Sequence, residues 1–72
     1  MSDAVFAYIG RTTKATPDHE INKVVCAMVD RPELQKHNAK EIAKWMRDGL
    51  TIERVPAEWV RKYLFTTEPY VP

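Results

Sequence analysis

At 72 residues, 44% of them hydrophobic and 29% charged, the chain has room for one soluble globular domain with a thin core. A net charge of +1 argues against a strongly basic nucleic-acid binder and against an acidic nucleic-acid mimic. A single cysteine forbids an internal disulfide, no segment has the apolar length of a bilayer span, and no basic-then-apolar leader opens the chain; together these give a reducing, cytoplasmic setting as the expectation.

The run Ala4–Ile9 (AVFAYI) is short, apolar throughout and closed by Gly10, which predicts a strand buried on both faces. Phe6 and Tyr8 share one side of it, and Val5, Ala7 and Ile9 share the other. Gly10–His19 has the Gly, Thr, Pro and Asp content of a loop. Ile21–Val29 is rich in β-branched residues and predicts a second strand, with Ile21, Lys23, Val25, Ala27 and Val29 on one face and Asn22, Val24, Cys26 and Met28 on the other.

Asp30–Val55 carries the strongest signal. Asp30 and Glu33 have the spacing of a capping box, and Pro32 suits a first turn whose N–H groups lack intrahelical partners. Gly49 supplies the left-handed exit. A helix over Arg31–Asp48 follows. Leu34, Ala39, Ile42, Ala43, Trp45 and Met46 fall on its apolar side, with Gln35 and Asn38 intruding. These two amides either pair at a sheet edge or mark a partner contact. Lys36, Lys40, Lys44 and Arg47 form a basic row on a charged side shared with Glu33, His37, Glu41 and Asp48.

Thr51–Val55 predicts a short third strand. In PAEWVRKYLF, Pro56 fits a helix start, and Trp59 with Tyr63 and Val60 with Leu64 are helical neighbours, although Trp59, Tyr63 and Phe65 also share one side of a strand. A helix is the preferred reading. The final TTEPYVP is expected to be extended and weakly anchored unless something holds it. The expected fold is therefore α+β: a β-β-α-β antiparallel sheet of order 2-1-3, one amphipathic helix on one face and a short C-terminal helix. A domain over residues 1–65 would carry an extended tail at 66–72. Both faces of the first strand are apolar, so both must be covered, by a docked C-terminal segment or by a second subunit in a homodimer.

No catalytic, cofactor or metal constellation emerges. His19, His37 and Cys26 do not stand at a metal-ligand spacing. Cys26, in mid-strand beside Val25, reads as a structural thiol. Glu53, Glu58 and Glu68 are scattered, and two glycines cannot build a phosphate loop. The chain reads as non-enzymatic. Trp59, Arg61, Tyr63, Phe65 and Tyr70 are residue types that anchor protein interfaces, and with Gln35 and Asn38 they form the expected partner-contacting set. The alternative is a small nucleic-acid-binding or transcription accessory protein using Lys36, Lys40, Lys44 and Arg47.

The apolar first strand, a second strand running into "MVD", and the helix end "AKWMRDGLTIERV" resemble small proteins of tailed phages and prophages. That resemblance covers roughly half the chain, and its motifs are mostly structural signals. It implies a stoichiometric inhibitor of a host protein complex, such as a CRISPR-type defence system, and it assigns no residue a role.

Overall fold

In the computed structural model, which describes residues 5–16 and 20–72, the chain runs β1 (Phe6–Arg11), β2 (Val24–Asp30), a 3-10 turn (Pro32–Leu34), α1 (Gln35–Arg47), β3 (Thr51–Pro56) and α2 (Ala57–Tyr63). The three strands form an antiparallel sheet of order β2-β1-β3, as expected from the apolarity of β1. The segment after Pro56 is the helix favoured above. Residues 1–4 and 17–19, and with them Ala4 of the expected first strand and His19, lie outside the described residues.

The two faces of β1 are covered by different helices. Gly10 lies under α1: a Cβ there would come within 2.6 Å of Cys26 Sγ, 3.1 Å of Leu50 Cδ1 and 3.3 Å of Trp45 Cε3. Glycine is what lets the helix approach the central strand so closely. The opposite face carries the core of Ile9, Val24 and Val55, onto which Trp59, Val60 and Tyr70 pack. The docked C-terminal segment thus covers the second face, and the apolarity of β1 no longer requires a second subunit.

Three local features depart from the sequence reading. First, β1 pairs Gly10 with Cys26 but Arg11 with Val24, leaving Val25 as the extra residue of a bulge. Strict alternation groups Val24 with Cys26 and Met28; the bulge moves it to the Ile9 face, where it is fully buried. Second, the capping box does not form. Asp30 is the last residue of β2, and its carboxylate accepts from Arg54 Nε at 2.7 Å, while the guanidinium of Arg54 lies 4.0 Å from the Phe6 ring centre. The helical segment opens instead through the 3-10 turn, with no side-chain cap.

Third, α1 is rotated relative to its expected apolar face. Asn38 is only 4% exposed, and Leu34, Glu41, Ile42 and Trp45 are half-buried, while Ala39, Ala43 and Met46 face solvent, Met46 at 62%. The cause is a hydrogen bond. Asn38 Nδ2 donates to the Val29 carbonyl at 2.9 Å, and satisfying that edge group of β2 turns Asn38 inward. Its Oδ1 is buried without a partner. The helix stop is as read. Gly49 has φ of 90°, Leu50 N–H donates to Trp45 C=O and Gly49 N–H to Met46 C=O, and Leu50 and Trp45 meet over Gly10.

The tail is held firmly. Phe65 N–H donates to Val24 C=O, and Val24 N–H donates to Thr66 C=O, both at 2.9 Å, so the tail pairs with the outer edge of β2. Arg11, 5% exposed, donates from Nε to the Glu53 carboxylate, from Nη1 to Asn22 C=O at 2.7 Å and from Nη2 to Glu68 C=O at 2.9 Å. A buried guanidinium needs such partners, because burial without them costs several kcal/mol, on the order of 3–5. One side chain therefore ties β3, the loop before β2 and the tail to the central strand.

Candidate protein-binding surface

The surface begins at Pro56, whose fixed φ, here −58°, turns β3 into α2. Ala57 N–H donates to Val5 C=O at 2.9 Å, so the helix starts while still on the β1 ladder. Its seven residues leave two turns to divide between core and solvent. Trp59 and Val60 turn down onto Ile9, Val24 and Val55, and Glu58, Arg61 and Lys62 turn out.

Trp59 is fixed from three sides. Tyr63, one turn on, stacks against it at 5.2 Å between ring centres and 30° between planes. Tyr70 meets it edge-on at 5.7 Å and 81°, and the Arg11 guanidinium lies 5.6 Å from its ring centre. These are favourable aromatic and cation–π geometries. Trp59 and Tyr70 are thereby half-buried and belong with the core, whereas Tyr63, 40% exposed, and Arg61 are on the outside. An open groove of 470 Å³ runs between Pro56, Glu58, Trp59, Arg61, Lys62 and Tyr63.

The groove ends at a turn whose chemistry is unusual. Thr66 N–H donates to Tyr63 C=O at 3.0 Å, Leu64 has φ −60° and ψ 137°, and Phe65 has φ 67°. This is a type II turn with phenylalanine at the position that favours glycine. The two hydrogen bonds between Phe65–Thr66 and Val24 hold the backbone there. Phe65 does not recover the cost by burial, because it is 61% exposed, and Leu64 beside it is exposed as well. No sequence signal announced this turn, since nothing in TTEPYVP or RKYLF demands a positive φ.

The remaining expected contact residues are distributed elsewhere. Gln35 is exposed at the start of α1, and Asn38 is consumed by Val29, so its placement answers to the sheet edge. Lys36, Lys40, Lys44 and Arg47 are exposed along α1, over the other face of the sheet from α2. Burial pushes the Cys26 thiol up, outweighing a hydrogen bond from the Gly10 backbone, which suits a structural role. Among the described residues, no three His, Cys, Asp or Glu side chains gather as metal ligands would, and no helix is long and apolar enough to cross a membrane. No protein-family model, curated protein or solved structure matches the chain.

Proposed function

We propose that the protein is a non-enzymatic binding module that engages a partner protein through Arg61, Tyr63, Leu64 and Phe65 and the groove beside them. The carrying observation is Phe65, a large apolar side chain that is both solvent-exposed and held in a left-handed conformation. Glycine would serve the turn better, and burial does not explain the ring, so contact with something else is the remaining use for it. Around it stand an aromatic, an exposed leucine and an arginine, the composition of an interface anchor. Trp59 and Tyr70 support the surface from below. The resemblance to small phage proteins extends the proposal to a bacterial host complex, of the CRISPR type or another, with inhibition by stoichiometric occupancy.

Affinity capture from bacterial lysate, compared with and without nuclease treatment, tests the reading. A partner at fixed stoichiometry should be retained by the native chain and lost with Phe65→Gly and with Arg61→Glu, both folded. Equal capture by the Phe65 variant, or loss of the partner on nuclease treatment alone, refutes it.

A further inference from the structure

The outer side of α1 carries a second surface with its own chemistry. Lys36, Lys40 and Lys44 follow at four-residue steps and Arg47 stands three further on, so the four lie in one row spanning about 16 Å of helix. All four are exposed. Among the described residues none of the four enters an ion pair: the pairs there are Arg11–Glu53, Arg31–Glu33 and Arg54–Asp30.

The acids that share this side in the sequence do not neutralise the row. Glu33 stands ahead of the helix beside Arg31. Glu41 is half-buried, and Asp48, exposed at the helix end, forms no ion pair with the row among the described residues. The rotation imposed by Asn38 also leaves Ala39 and Ala43 exposed along the row's flank, where short side chains permit close approach.

We infer that this face of α1 docks on the phosphate backbone of a nucleic-acid duplex, independently of the α2 surface. The charge row repels a second copy of itself. Trp45 faces the sheet and no aromatic stands in the row, so there is no platform for stacking single-stranded bases. A rigid line of four cations suits a duplex, which presents one negative charge per about 1.7 Å of axis, or on the order of ten along the row. Contacts to phosphate carry no sequence information, so docking through this row is sequence-independent.

Fluorescence anisotropy with a short labelled duplex DNA, titrated over salt, is the test. Four phosphate contacts give a slope of about −3.6 in log affinity against log salt, or about a hundredfold loss from about 50 to about 200 mM. Lys40→Gln with Lys44→Gln keeps good helix formers and should halve the slope, reducing that loss to about tenfold. Arg61→Gln with Lys62→Gln, and Phe65→Gly, should leave it unchanged. No binding at low salt, an unaltered slope in the α1 variant, or an equal reduction in the α2 control overturns the inference. Competition by polyglutamate as effective as by duplex at equal charge overturns it too, in favour of an acidic protein partner.

Discussion

Replacing Phe65 by glycine and by alanine should reverse the usual order of the two residues. Phe65 is 61% exposed, so truncation forfeits only about two-fifths of the value of a buried phenylalanine, or about 1 kcal/mol, in either variant. The backbone at φ 67° separates them. Alanine retains a left-handed cost of about 1–2 kcal/mol, whereas glycine escapes it and loses about 0.5–1 kcal/mol through the freedom of its unfolded chain. Phe65→Ala should therefore be destabilised by about 1 kcal/mol and Phe65→Gly should stay close to the native protein. For a chain this short the glycine variant should melt about 4–8 °C above the alanine variant. Urea and thermal unfolding followed by circular dichroism measure both. An alanine variant as stable as the glycine variant would show that the left-handed turn is not held in solution, and the argument for Phe65 as a contact residue would fall with it.

Arg11→Met should cost about 2–3 kcal/mol, less than breaking a fully buried pair because Glu53 is partly open to water, and should speed amide exchange at Phe65 and Val24; unchanged exchange there would mean the tail is held without the guanidinium. Gly10→Ala drives a methyl against Cys26 Sγ and should cost about 1–3 kcal/mol, while Cys26→Ala in the same chain should recover about 1 kcal/mol of it; strictly additive losses by denaturant titration would place the clash elsewhere. With its pKa raised by burial, Cys26 keeps its proton at pH values where an open thiol has begun to ionise, so iodoacetamide should alkylate the native protein at least about tenfold more slowly than the urea-unfolded chain at pH 8, and equal rates would contradict its packing.

What was legible in the sequence was local or repetitive. Gly49 announces its own turn because a left-handed exit admits few other residues, and the apolarity of Phe6–Ile9 places β1 between two neighbours. What was hidden depends on residues distant in the chain. The bulge at Val25 arises from how β2 meets Gly10 and Arg11, and no feature of VVCAMVD encodes it. Asn38 reads as a flaw in an amphipathic helix until the Val29 carbonyl it serves is seen, and that one bond redirects Ala39, Ala43 and Met46 to solvent. Asp30 carries the spacing of a helix cap but is claimed by Arg54, because a charge-assisted bond across the sheet competes with a local one. For the candidate site, the aromatic composition was visible, but its division into supporting rings, Trp59 and Tyr70, and outward groups, Tyr63 and Phe65, required the tail's path over the core.

The bonds of Arg11 also order events during synthesis. The arginine leaves the ribosome with β1, yet two of its acceptors lie 42 and 57 residues further along the chain. Until those residues follow, the cation has no site it can enter without losing water uncompensated, and the Ile9 face stays open. β1 and β2 can pair early, with Asn22 C=O as the first acceptor, but the guanidinium has its full set of partners only when Glu53 and Glu68 are in reach. Completion of the domain is thus coupled to translation of its tail, and a chain interrupted before that point exposes both an apolar strand face and an unfilled strand edge, the features that mark a nascent protein for chaperones and proteases.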